Sequence, residues 1–348
     1  SSMASRIWGR NRATMSRSSC TNDGHVAASA GGRGGARSSR GPTVARRRGR
    51  VHVASTRNPN QIFELAPAVG LLRRTDRRMG RLENRPLLPV RSWLYPGSLY
   101  LHELAMIGGK LHANAVGRNT VVRLGTDGGF RDVWWPRSVE KRGHPATDRN
   151  LLQLNSIAAG RDLRSSYYTA SSEKPAGRFP GNPNYPVDRR GVILSGRTRE
   201  AIARGLTRPH SARLHRGRVW ADNSGYGEVG VAGDGKFCAV ARLPGWTRGL
   251  CFVGNIAFVG TSRVLPRFRN YAPGVKMGRS VCGVHALDVT SGRVIGSLLW
   301  PRGNQIFAIE WAPSDFASGF PFAVPGGASE RQKSLFYGFK TALTGKTR

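Results

Sequence analysis

A loose repeat constrains this chain more than any other feature of it. LHELAMIGGKLHANAVGRNTVVRLGTDGGFRDVWWP (101–136) and HSARLHRGRVWADNSGYGEVGVAGDGKFCAVARLPGW (210–246) follow one plan: a strand, a tight glycine turn, a strand and a polar-ended strand, then a second turn and a last strand ending in Trp-Pro or Leu-Pro. TRGLCFVGNIAFVGTSR (247–263) repeats it and is completed, after an insertion, by CGVHALDVTSGRVIGSLLWP (282–301). LNSIAAGRDLRSSYYTASS (154–172) with GVILSGRTREAIARGLTRP (191–209) is a further copy, its halves separated by a Pro- and Asn-rich stretch. Four short antiparallel strands in about 35–55 residues is the size of a β-propeller blade. Such a sheet cannot bury both faces alone, so copies stack radially around a channel.

Four blades fit between 101 and 301, a fifth starts at GNQIFAIEWAP (303–313), and pieces of another lie in NQIFELAPAVGLLRR (60–74). The expectation is an all-β fold, a β-propeller of six blades, with room for an incomplete first blade. A β-sandwich is the rival, but it does not explain the recurring Trp-Pro or Leu-Pro before each polar strand start. Helix is scarce: TREAIARGL (198–206) is the best candidate, interrupted by Gly205 and stopped by Pro209, so it reads equally as strand and turn.

Residues 1–58 have a different texture, rich in Arg, Ser, Ala and Gly, with Asp23 the one acid. Such a segment buries too little apolar surface to offset its ordering entropy, so it is expected to be a disordered basic arm before a propeller domain at 59–340. A transit peptide, an RNA-binding arm around GGRGGARSSRGP (31–42) and sequence outside the true reading frame are the three accounts of it.

Composition excludes several classes. The net charge of +35 suggests nucleic acid, yet 47 of the 55 basic residues are arginine and only 8 are lysine. That skew fits coding bias in a GC-rich genome, and no recognition motif accompanies it, so nucleic acid is not the expected partner. Cys20, Cys238, Cys251 and Cys282 form no C-x-x-C and have no zinc-ligand spacing to a histidine. The last three, read as buried free thiols, fit a reducing, cytoplasmic setting. No run of about 18 apolar residues is present to span a membrane, and the N-terminus lacks a secretory apolar core.

Candidate chemistry lies where inner strands open, because those residues converge at one channel mouth. They are His102 and Glu103, Gln153, Asn155 and Ser156, His210 and Ser211, Thr247 and Arg248, and Asn304 and Gln305. Polar starts on five strands suggest a site for a small polar ligand. Alternatively, a divalent metal would use His102, Asn155 and His210, with carboxylate and amide oxygens serving a hard cation. Waters solvating polar strand ends are the plainer account. Glu228 stands nearby within Asp222-Asn-Ser-Gly-Tyr-Gly-Glu228, where Asp and Asn also favour turns. The G-x-G-x-x-G at Gly225, Gly227 and Gly230 has no helix after it, so it is not a dinucleotide turn; these glycines let blades approach closely. The Trp-Pro pairings read as packing, with a carbohydrate platform as the alternative.

These blocks, the Pro209-His210-Ser211-x-Arg213 to Trp220-x-x-Asn223-Ser224-Gly225-x-Gly227-Glu228 stretch above all, resemble a mainly bacterial family of propeller-like proteins of unknown function, sometimes found beside tetratricopeptide repeats. The resemblance spans about residues 95–320 and also covers His102, Asn155, Pro244, Gly245, Arg248 and Gly249. It implies the fold and no activity. Three functions remain: a channel-mouth ligand or metal site, extending to metal-assisted lactone or ester hydrolysis; a protein- or glycan-binding platform; and an RNA-associated protein.

Overall fold

The computed structural model describes residues 24–30, 44–47, 49–55, 60–67, 87–176, 178, 180, 182, 184–301, 303–313 and 316. Its hairpins follow from the turn residues. Gly108-Gly109, Arg216-Gly217 and Asp234-Gly235 each have positive φ at both central positions, the type I′ geometry whose twist matches paired strands. These turns set the register, pairing Ile107 with Lys110, His215 with Arg218 and Gly233 with Lys236.

Five blades have four antiparallel strands each. Blade 1 comprises Val44–Arg47, Arg50–Ala54, Gln61–Pro67 and Leu87–Leu94. Blade 2 comprises Leu101–Ile107, Lys110–Ala115, Thr120–Leu124 and Phe130–Trp134. Blade 3 comprises Leu154–Ala158, Tyr167–Ala170, Gly191–Ser195 and Ala201–Leu206. Blade 4 comprises Pro209–His215, Arg218–Asn223, Glu228–Gly233 and Gly235–Arg242. Blade 5 comprises Trp246–Val253, Ile256–Ser262, Gly283–Asp288 and Arg293–Leu299. Among the described residues blade 6 has two strands, Ile306–Pro313 and its antiparallel partner Gly24–Ala30.

The first strand of each blade packs against the first strand of the next, and Ile306–Pro313 packs against Val44–Arg47, so six inner strands close a ring. The fold is a six-bladed β-propeller. Its apolar cores lie between blades. Ile62, Trp93, Leu101 and Leu104 form one between blades 1 and 2. Trp134, Leu154 and Tyr168 form the next, with the Trp134 and Tyr168 rings stacked at 3.9 Å. Exposed apolar residues concentrate on two outer strands, Val294, Ile295 and Leu299 of blade 5 and Val90 and Leu94 of blade 1, on either side of the two-stranded blade.

Two expectations change. Blade 1 is complete, and it begins before the expected domain start: Val44–Arg47 and Arg50–Ala54 lie inside the segment read as a disordered arm. Arginine hid them. Ala45, Val51 and Ala54 are buried while Gly49 and Arg50 are exposed, so three small apolar residues face inward from a basic hairpin. The rest of residues 1–58 falls mostly outside the described residues. The segment that read equally as helix or as strand and turn takes the second form, Ala201–Leu206, whose Ala203 and Arg204 pair in parallel with Gly235 and Lys236 and join blades 3 and 4 into one eight-stranded sheet.

The glycines of 225–230 serve close approach. A Cβ on Gly225 would run into the Thr207 side chain, and one on Gly230 into the Cys238 carbonyl. Gly227 is left-handed, with φ +67.

Candidate functional site

The inner strands share a local irregularity. Their pairing with the second strand slips between Leu101 and Leu104, Leu154 and Ser156, His210 and Arg213, and Thr247 and Leu250. Each slip is a bulge that breaks the alternation of faces. At two of them the backbone is left-handed, at Ser211 (φ +54) and Gly249 (φ +86). Strict alternation would put His210 and Arg213 on opposite faces. The bulge instead sets His210, Ser211 and Arg213 on one wall.

That wall encloses a small cavity at the opening end of the inner strands. His102 and Glu103 of blade 2, His210, Ser211 and Arg213 of blade 4, Arg248 of blade 5, and Phe307 and Ala308 of blade 6 line it. It leaves about 10 Å³, room for one water-sized group. Blades 2 and 4 are not neighbours in the ring, yet the His102 and His210 rings meet with centroids 5.0 Å apart, and the Glu103 carboxylate pairs with the Arg213 guanidinium. Both contacts therefore cross the channel.

The hydrogen bonds fix protons. His102 Nδ1 lies 2.9 Å from the Asn155 carbonyl, which can only accept, so Nδ1 donates and in the neutral ring the lone pair is on Nε2. Arg248 Nη2 lies 3.3 Å from His210 Nε2 and donates to it. The Arg248 guanidinium also faces the Trp246 ring at 4.4 Å and the Phe307 ring at 5.0 Å.

Burial sets the charge states. It drives His210 well below the usual histidine range, and the neighbouring guanidinium groups of Arg248 and Arg208 add to the effect, as would a charge on His102. Arg248 is lowered to about 9 by burial and then by Arg208. Burial raises Glu103, against the opposing pull of Arg213. Asp222, on the second strand opposite His210, is fully buried, and its pKa rises well above the usual carboxylate range. Neither Asp222 oxygen makes a well-formed hydrogen bond, although the Ser211 hydroxyl is close enough to lower its pKa somewhat. Burial thus favours the neutral form of Asp222 behind the wall.

Of the ten expected site residues, the structure gathers His102, Glu103, His210, Ser211 and Arg248 around this cavity. The other five do not line it. Asn155 Nδ2 donates to Ser171 Oγ and to the Pro209 carbonyl of the next blade. Ser156 Oγ pairs with Thr169 Oγ1 and accepts the Ala212 N–H of blade 4. Gln305 Nε2 donates to the carbonyls of Arg263 and Asn304. The Asn304 carbonyl also accepts the Arg263 N–H. Glu228 accepts from Asn223 Nδ2 and, through its carbonyl, from Thr247 Oγ1. These groups bracket one blade to the next, and Ser211 Oγ does so too by accepting Gly249 N–H. Much of the polar-start pattern is therefore stitching. Arg213, Phe307 and Ala308 were missed because the bulge hides which face Arg213 takes and the other two are apolar.

A metal on His102, Asn155 and His210 does not fit. A guanidinium donates to His210 Nε2 where a cation would bind, and Asn155, although its Oδ1 has no hydrogen-bond partner, does not line the cavity that the two imidazoles share. Among the described residues no three His, Cys, Asp or Glu side chains form a ligand set. No helix among them is long and apolar enough to cross a membrane.

Residues 37–318 match the profile of a family described as a domain of unknown function, DUF4915. The match extends the resemblance upstream to take in blade 1. None of the curated proteins compared with the chain matches it. Among solved structures it is similar to a structural-genomics candidate gluconolactonase (16% identity, 76% of this chain and 78% of that one, TM-score 0.48). Others are a gluconolactonase from Xanthomonas campestris (14%, 73% and 73%, 0.45) and the β-propeller domain of Cps50 (Swd1) from Myceliophteria thermophila (11%, 75% and 72%, 0.41). At these identities and scores the likenesses bear on no residue of the site.

Proposed function

The chain belongs to the DUF4915 family, and from that footing we propose that its propeller is a receptor for one small polar ligand, a single oxygen-bearing group of which enters the channel-end cavity. The observation that carries this reading is the convergence across the channel of His102 and His210 beside Arg248, around space for one such group. A purely structural channel needs no guanidinium and two imidazoles meeting from non-neighbouring blades. Arg248 and Ser211 supply polar hydrogen-bonding groups, and His102 Nε2 supplies an acceptor. Cys251 and Cys282 are buried as expected while Cys238, on the outer strand of blade 4, is exposed, and three free thiols favour a reducing, cytoplasmic setting. A screen of polar fragments read on the imidazole resonances tests the proposal. Ligands should move His102 and His210 together and leave His285 unmoved, and binders confined to an outer propeller face would favour a protein or glycan platform instead.

A second reading, ester or lactone hydrolysis, is favoured by the His102 tautomer. With its lone pair on Nε2, this imidazole can take a proton from a water as the water oxygen bonds to the carbonyl carbon. Arg248 N–H then steadies the developing oxyanion, and the departing alkoxide receives the proton. No metal enters this scheme. A panel of lactones and aryl esters followed by proton release tests it. Turnover lost in His102→Gln supports it, and turnover unchanged in that variant removes it.

A further inference from the structure

Tyr100, Gln153 and Arg208 occupy one position in blades 2, 3 and 4, two residues before His102, Asn155 and His210. All three have left-handed backbone, with φ +51, +53 and +49. The shared turn therefore demands a conformation there, and not an arginine. Arg208 is nevertheless an arginine, and only 3% exposed.

Its partners are neutral. Nη1 donates to Gln153 Oε1 at 2.6 Å, and the guanidinium lies 3.7 Å from the centroid of the Tyr271 ring. Its Nε is buried with no hydrogen-bond acceptor. No described carboxylate forms an ion pair with it. Arg213 shows the contrast: it is partly buried, and it has Glu103 in contact and Glu310 nearby. The fold supplies anions to one arginine and withholds them from another. A buried cation without a counter-ion is costly, and the cost persists only where something else repays it.

Arg208 stands close enough to the cavity to matter electrostatically. It lowers the pKa of both Arg248 and His210, so its positive field reaches the cavity-lining groups. Of the three acids around the wall, Glu103 pairs with Arg213, Glu310 is near the same guanidinium and Arg46, and burial favours the neutral form of Asp222. The field at the channel end is that of a cationic pocket.

We infer that the ligand presents a small oxyanion, a carboxylate or a phosphate, to the cavity at Arg248 and Ser211, and that Arg208 supplies the second positive charge that selects it over a neutral analogue. This rests on the channel end being a ligand site and adds the ligand's charge. Arg208 is a selectivity residue, acting through its field.

The test uses the full chain in chloride buffer at fixed ionic strength, with acetate, inorganic phosphate and neutral acetamide as probes in thermal unfolding and calorimetry. Acetate or phosphate should raise the melting temperature and bind at least tenfold more tightly than acetamide. The tighter of the two anions identifies the source of the charge. Arg208→Met should remove most of that preference and be no less stable than wild type in chloride alone, whereas Arg208→Lys keeps the preference. Should Arg208→Met fail to fold, the Arg208 Nε–H resonance of the wild type decides, since an oxyanion in the cavity moves it and acetamide does not. Equal response to anions and acetamide, or full preference retained in Arg208→Met, overturns the inference. If a neutral ligand still shifts His102 and His210, the ligand-receptor reading survives without the charge; if no probe shifts them, both readings fall.

Discussion

The Glu103–Arg213 pair joins blades 2 and 4 across the channel, and its removal has a calculable consequence. The Glu103 and Arg213 side chains are 9% and 19% exposed, so the pair is largely out of water. Deleting one partner of a buried pair strands the other, at about 3–5 kcal/mol. Glu310 lies near enough to Arg213 to offset part of that loss, which puts Glu103→Leu at about 3 kcal/mol. Arg213→Met strands Glu103 and should cost a similar amount. Replacing both removes two desolvated charges at once, and such apolar replacements are often close to neutral. The double variant should therefore lie within about 1–2 kcal/mol of wild type, with a coupling energy of at least about 3 kcal/mol. Urea unfolding followed by tryptophan fluorescence measures all four proteins. Single losses below about 1 kcal/mol, or a double variant costing the sum of the singles, would refute the claim that the pair is buried and mutually dependent.

Other consequences follow from the same geometry. Burial raises the Asp222 pKa in the folded state, so the fold binds more protons than the unfolded chain above the ordinary carboxylate pKa, and stability should fall as pH rises from there through the raised pKa. Asp222→Asn should flatten that slope and leave the acid-side loss from His210, whose depressed pKa makes stability fall as pH drops below about 6.5. Unfolding midpoints across pH measure both slopes. Asn119 ties blade 2 to the start of blade 3 by accepting from Leu151 and Leu152 N–H and donating to the Ala146 and Arg149 carbonyls. Asn119→Ala leaves several of these groups unpaired and should cost about 2–4 kcal/mol in denaturant unfolding. Gly225→Ala should lose more stability than Gly217→Ala. The first meets the Thr207 side chain, while the second has open space and only left-handed backbone, for about 1 kcal/mol.

The repeat made the fold legible because each blade carries its own turn chemistry, and type I′ turns accept few sequences. Blade 1 was harder to see. Its inner hairpin, around Arg46 and Gly49, has no long apolar run, and only alternate small residues turn inward. The site was half legible. Polar residues at inner-strand starts mark both the cavity and the inter-blade brackets, and composition cannot tell Ser211, which serves both, from Ser156, which serves one. The division is made by bulges, which reassign faces without leaving a residue-type signature. Glu228, an unexplained acid in the sequence, proves to hold Asn223, whose Oδ1 in turn accepts the Thr207 N–H.

Two imidazoles from non-neighbouring blades meet at the proposed ligand site. Nitrogen-15 imidazole spectra of the full chain, recorded from pH 8 to pH 5 with and without acetate and inorganic phosphate, test it most directly. The account predicts a His102 ring protonated on Nδ1 at neutral pH and a His210 ring that stays uncharged well below the usual histidine range, with both sets of resonances moving together when an oxyanion binds. A His210 that titrates near about 6.5, or rings that respond to no ligand while another part of the chain does, would contradict it.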